Sequence, residues 1–200
     1  MEKPAPVQFP IHDLLKHRWS PRAFADRPVE PAKLQSLFEA VRWAASASNA
    51  QPWAFVIATR EQPEEFKRML SCFVESNMGW AKNAPVVGMS VAKLNFDQGG
   101  TANRHAYHDV GQATANLAIE AVVQGLQIHQ MAGIHVDKAR EVLSLPEGYD
   151  PVAGFALGYP GDPHSLPEKL RERELGPRQR KAAESFVYSG RWGQKSGIFQ

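Results

Sequence analysis

Apolar residues recur along the chain at two spacings, and the alternation between them predicts a protein of mixed helix and strand. Pro31 stands at a helix start, and Leu34, Leu37, Phe38, Val41 and Ala45 follow at the i, i+3, i+4, i+7 spacing of an amphipathic helix expected to end near Ala47. The same spacing returns at Phe66, Met69, Leu70 and Phe73, with Glu64, Glu65, Lys67 and Arg68 opposite. Apolar runs at 53–58, 85–92 and 152–158 read as strands, and 128–134 as a further extended segment. Ile11, Leu14 and Leu15 suffice for one or two helical turns, and Asp137 is a good N-cap for a short helix through Ala139, Val142 and Leu143.

Three stretches depart from simple amphipathicity. Residues 109–125 are apolar around most of a helical circumference, so that helix is buried on several sides, either at the centre of the core or at a subunit interface. The polar run 95–103 has few apolar anchors and reads as a mobile loop or the edge of a lobe, a candidate substrate-site lid. Beyond Pro163 a charged, proline-punctuated segment to Lys181 cannot make a core and is expected to run over a surface; Phe186, Val187, Tyr188 and Trp192 then pin the tail onto something. The fold class is α+β in a single domain, 1–200.

Composition narrows the function classes. At 200 residues and 43% hydrophobic the chain can bury a full core. With 23 Lys and Arg against 21 Asp and Glu, the net charge of +2 is too weak for a nucleic-acid binder, and Glu168, Glu172 and Glu174 interrupt the basic run around 171–181. The lone Cys72 excludes an intramolecular disulfide and a cysteine-rich metal site. No stretch offers the ~20 apolar residues of a membrane span or the apolar core of a signal peptide. The expectation is a soluble, cytoplasmic protein.

Dinucleotide-fold, P-loop, serine-hydrolase and zincin motifs are all absent. His105 and His108 lack a third ligand and read as solvated or helix-capping side chains rather than a metal site. Two other clusters carry more chemistry. Arg18-x-Ser20-x-Arg22 sets two guanidiniums and a hydroxyl within five residues, suited to one phosphate or to a solvated basic turn. In the loop Ser46-x-Ser48-Asn49-x-Gln51-Pro52-Trp53, hydroxyl and amide groups both donate and accept, as the edge of a flat heteroaromatic ring requires; an ordinary helix-to-strand loop is the alternative.

Residues 18–24 with Pro28-Val29, the segment 43–53, Asp109-Val-Gly-x-Ala-x-x-Asn-Leu117, Gly125-Leu126 and the terminal Arg191-Trp192-Gly193 together resemble the nitroreductase family of flavoproteins. The resemblance runs from about residue 10 to 193. It implies an α+β sandwich with a mixed sheet flanked by helices, in an intertwined homodimer with FMN at the interface. Residues 163–200 would then form an extension packing on the partner subunit.

By the same resemblance, Arg18, Ser20 and Arg22 would lie at the FMN phosphate and ribityl chain, and Ser48, Asn49 and Gln51 near the ribityl or ring edge. Arg180, or alternatively Arg178, would approach the phosphate. Ala132 and Gly133 would direct backbone N–H groups at the flavin, with glycine admitting a close flat ring. Trp19 also belongs to this set, where many family members carry Arg or His. No catalytic side chain is expected, because the flavin carries the chemistry. NADH or NADPH would reduce it in a ping-pong cycle with nitroaromatics or quinones as acceptors, and Phe73, Trp80, Phe96 and Tyr107 are candidate pocket walls. Flavin binding without turnover, and specialised dehalogenation or dehydrogenation, are the alternatives.

Overall fold

Residues 2–199 are described by a computed structural model. In chain order the elements are α1 (Asp13–His17), α2 (Pro31–Arg42), β1 (Trp53–Thr59), α3 (Pro63–Leu70), α4 (Glu75–Ala81), β2 (Val86–Lys93), α5 (Ala106–Val123), β3 (Gln127–Met131), α6 (Val136–Val142), β4 (Tyr149–Gly158) and α7 (Glu168–Leu175). The strands form one sheet of order β1-β2-β4-β3, and this α+β architecture is the class expected. All three pairings are antiparallel, where a mixed sheet was anticipated; β1 is left as an edge strand.

Strand alternation builds two cores, one on each face. Ala54, Val56 and Ala58 of β1 join Val87, Met89 and Val91 of β2 beneath α3, α4 and α6, with Phe66, Met69 and Trp80 from the helices. Trp53, Phe55 and Ile57 point the other way, to Leu37 and Val41 of α2 and Ala113, Leu117 and Ala121 of α5. Phe155 crosses Gly88 so closely that a Cβ there would lie 2.3 Å from its ring.

Several boundaries differ from expectation. Helix α2 stops at Arg42 rather than near Ala47: Trp43 leaves helical geometry with 73% of its surface exposed, and the Ala47 N–H is drawn to the Asp109 carboxylate at 3.0 Å. Strand β3 ends at Met131 because the Ala132 carbonyl accepts the Ile134 N–H in a tight turn. His135, not Asp137, is the N-cap of α6, and Asp137 pairs instead with Arg140. The run 95–103 folds into a small hairpin in which Asn95 bridges Ala102, so it is tethered rather than open. Helix α5 buries one face, while Gly111, Ala115 and Val123 stay exposed on the other.

Helices α4 and α7 have no counterpart in the sequence reading. Both are short, and the only residue α7 buries is Glu174, a charge that hydrophobic periodicity does not count. Segment 163–175 therefore packs on its own chain. Beyond it, the tail turns back along the N-terminal leader, where Phe199 meets Phe9 at 5.8 Å between ring centroids, and leaves Trp192 90% exposed.

Gly161 locks the entry to the basic segment onto the end of the sheet. Its N–H donates to the Ala23 carbonyl at 2.9 Å, and a Cβ would meet the Phe24 carbonyl carbon at 2.5 Å. Because the obstacle is backbone, Gly161→Ala is expected to lower unfolding stability by about 1–3 kcal/mol in urea titrations. Unchanged stability would show that 23–25 can move aside.

Candidate functional site

Residues 18–23 lie outside regular secondary structure, so their backbone polar groups need partners from elsewhere. Four side chains supply them, and a fifth braces the set. Gln127, at the start of β3, accepts the Trp19 N–H at 3.1 Å and donates to the His17 carbonyl at 3.0 Å. His129, two residues on and facing the same side, has Nδ1 at 2.9 Å from the Pro21 carbonyl and therefore donates to it. Glu174 Oε1 accepts the Arg22 and Ala23 N–H groups at 2.7 and 3.0 Å. Arg178 donates to the carbonyls of Lys3, Lys16 and Arg18 at 2.7–2.8 Å. Lys3 donates to the Glu174 carbonyl and lies over the Trp19 ring. Such a scaffold holds a loop in one conformation before any ligand arrives.

The cations around this loop sort into two groups. Arg178 is spent on carbonyls. Arg22 reaches Glu174 Oε2 at 3.8 Å and lies 6.0 Å from the Trp80 ring centroid. Arg18 and Arg180 have no such commitments: Arg18 touches the Ser20 hydroxyl at 3.5 Å and Arg180 only the adjacent Gln179 carbonyl. Among the described residues neither has a carboxylate within ion-pair distance. Burial first, then the charges of Arg178 and Arg180, push the Arg18 guanidinium below its ordinary pKa. Arg178 is lowered in the same way, by burial and then by Arg180. A half-buried Arg18 beside the Ser20 hydroxyl and an exposed Arg180, both without carboxylate partners among the described residues, are donors suited to an anion.

Trp19 departs from this group. Its indole is buried and its backbone N–H donates to Gln127, which makes it part of the floor.

The second cluster is strained. Ser48, Asn49 and Gln51 all have positive φ, at 50°, 54° and 48°. Each costs about 1–2 kcal/mol for a residue with a Cβ. The strain is held from below: Ser46 Oγ accepts the Gln51 N–H at 3.0 Å, and the buried Asp109 accepts the Ala47 N–H. All three side chains are exposed.

The chain does not bring these two clusters together. The loop precedes Trp53, which pairs through Ala92 to the Asp150 end of β4. The basic segment sits at Gln127, which pairs with Gly158 at the other end of β4. Eight residues along the strand and three strand spacings across separate them by roughly 25–30 Å. Within one chain the two clusters therefore lie too far apart to hold one ligand together.

Ala132 and Gly133 lie beyond the far end of β3, on the same edge as the basic segment. Gly133 is required by its own chain: a Cβ would sit 2.6 Å from Asn77 Nδ2 and 2.8 Å from Val74 Cγ2 of the α4 region, and its carbonyl accepts from both Val74 N and Asn77 Nδ2. Internal packing by itself thus requires glycine here. Of the candidate pocket walls, Phe73 and Trp80 are core, Tyr107 is exposed and donates to Asp150, and Phe96 is half-buried. His108 contacts Asp109, and among the described residues no three His, Cys, Asp or Glu side chains converge as a metal site.

The positioning roles of Gln127, His129, Asp109 and Glu174 all escaped the sequence reading. Gln127 and His129 alternate on one strand face, a signal that polar residues in an otherwise apolar strand carry. Nothing local distinguishes Glu174 from Glu168 or Glu172.

The fold is an α+β sandwich that carries, on its β3 edge, a corner of guanidiniums without carboxylate partners among the described residues. The chain belongs to the nitroreductase family, whose model matches residues 15–159. A solved oxidoreductase containing FMN is similar over 96% of this chain and 97% of its own, at 34% identity and a TM-score of 0.90. A 15.4 kDa protein of Mycolicibacterium smegmatis is 43% identical over 90 residues, 45% of this chain and 60% of that protein, so the match spans less than two thirds of that relative. The FMN reductase (NAD(P)H) of Bacillus subtilis is 24% identical over 182 residues, 82% of this chain and 71% of that enzyme. No helix among the described residues is long and apolar enough to cross a membrane.

Proposed function

We propose that the chain is an FMN-dependent oxidoreductase, driven by NADH or NADPH, that reduces nitroaromatics, quinones or similar flat acceptors as a cytoplasmic homodimer. The observation that carries this reading is the Arg18–Ser20–Arg180 cluster: two guanidiniums without carboxylate partners beside a hydroxyl, a donor set matched to a phosphate monoester dianion. These residues would hold the FMN phosphate, and the 18–22 loop would lead the ribityl chain along the β3 edge toward Ala132 and Gly133. When bound, FMN supplies the two-electron chemistry, taking reducing equivalents from NAD(P)H and giving them to the acceptor in ping-pong order. The protein's own part is to bind and orient; no side chain is placed as nucleophile or obligatory acid.

A homodimer explains what the single chain leaves open. The strained loop 46–51, remote from its own Arg18, would serve the partner's cofactor with Ser48, Asn49 and Gln51. The exposed flank of α5 at Gly111, Ala115 and Val123 would find cover, as would Trp192 on the tail. The free edge of β1 offers a place for a partner's strand, which would make the sheet mixed.

The test is the visible spectrum of the purified protein with the released cofactor identified, followed by anaerobic addition of NADH or NADPH and then a quinone. Flavin bands that bleach and return are expected. A colourless protein that takes up no FMN overturns the reading; a yellow one that neither nucleotide bleaches reduces it to flavin binding without turnover.

A further inference from the structure

We propose that Glu174 is the positioning residue of the anion-binding corner: its carboxylate oxygen replaces the missing strand or helix partner of the Arg22 and Ala23 N–H groups, and so fixes the loop that presents Arg18 and Ser20. The inference rests on the FMN reading above and deepens it.

Four observations lead there. Glu174 is 1% exposed, and Oε2 is buried without a hydrogen bond. A leucine would fill such a space without the several kcal/mol that burying a carboxylate costs, so packing does not account for the residue. Both bonds to Oε1 come from adjacent N–H groups of one loop, 151 and 152 residues away in sequence, which is a clamp on backbone and not a surface ion pair. The flanking cations serve the clamp: Arg22 lies at 3.8 Å from Oε2, and Lys3, its pKa lowered mainly by burial, is held up chiefly by attraction to Glu174. The carboxylate thus engages Arg22, whereas Arg18 and Arg180 have no carboxylate within ion-pair distance among the described residues.

Reach and charge make opposite demands, so conservative variants separate them. Glu174→Gln keeps the reach and an oxygen that accepts both N–H groups, but loses the charge. Glu174→Asp keeps the charge and withdraws the oxygens by one methylene. FMN titrations of the wild type, E174Q, E174D and E174A are read together with the 31P resonance of the bound phosphate, which reports its surroundings and not global stability. E174Q is expected to bind within about threefold of wild type with an unmoved 31P line, whereas E174D and E174A bind about tenfold weaker with displaced lines. If E174A does not fold, the Gln and Asp pair decides. Asp binding as well as Gln, Gln as weak as Asp, or a 31P line common to all variants overturns the assignment. A wild type that takes up no FMN fails at the earlier step and overturns the functional reading beneath it.

Discussion

Removing Arg18 is expected to weaken FMN binding ten- to a hundredfold without unfolding the protein, from the loss of a charge-assisted hydrogen bond of about 1.5–3 kcal/mol. The guanidinium is half-buried, without a carboxylate partner among the described residues, and destabilised by Arg178 and Arg180, so its deletion relieves repulsion in the empty protein. Arg18→Ala should therefore hold or raise the melting temperature of the apoprotein while losing affinity. Arg180→Ala should behave alike, since it too makes only a local bond, to the Gln179 carbonyl. Arg178→Ala should do the reverse: three carbonyls lose their donor, and the leader, α1 and the loop come apart, so stability falls first. Fluorescence titration with FMN and melting of the apoprotein, run on all three variants, check this. If Arg178→Ala leaves stability intact and Arg18→Ala leaves affinity intact, the division of the cations is wrong.

Lowering the pH from 6.5 to 4 is expected to destabilise the fold through His129. Burial, aided by the Arg22 charge, lowers its pKa from an ordinary 6.5 to about 4, against the opposing pull of the Pro21 and Ser20 carbonyls. In the unfolded chain the imidazole takes its proton near 6.5; in the folded protein it resists until about 4. Across that window the unfolded state binds more protons, so stability rises with pH, is fully present above 6.5 and declines as pH falls toward 4. Lowering the imidazole pKa from 6.5 to about 4 would be worth about 3 kcal/mol for a fully enclosed ring. His129 is only half-buried, and about 1–3 kcal/mol is the expected range. Urea unfolding at pH 7.5 and 4.5 measures it, and His129→Gln, which keeps a donor for Pro21, should shrink the difference by that amount. An equal pH dependence in the variant would assign the effect to other groups.

Much of this molecule was legible because it is local. The periodicity of Leu34, Leu37, Phe38 and Val41 located α2, and the runs at 53–58 and 85–92 located β1 and β2, since side-chain spacing follows directly from backbone geometry. The donors of Arg18-x-Ser20 and of Ser48-Asn49-x-Gln51 could be read as ligand chemistry because hydrogen-bonding type belongs to the residue. Helix α7 was not legible: it docks through Glu174, and a buried carboxylate looks in sequence like any solvated one.

Local sequence pattern therefore fixed most of the helices and strands, the α+β class and the kinds of donor available to a ligand. Tertiary structure alone decided which of them are available. Arg18, Arg22, Arg178 and Arg180 are chemically equal in the sequence; they differ because Glu174 and three carbonyls claim Arg22 and Arg178 from far along the chain. Tertiary structure also set the two polar clusters at opposite ends of β4, because strand order and register are properties of the assembled sheet.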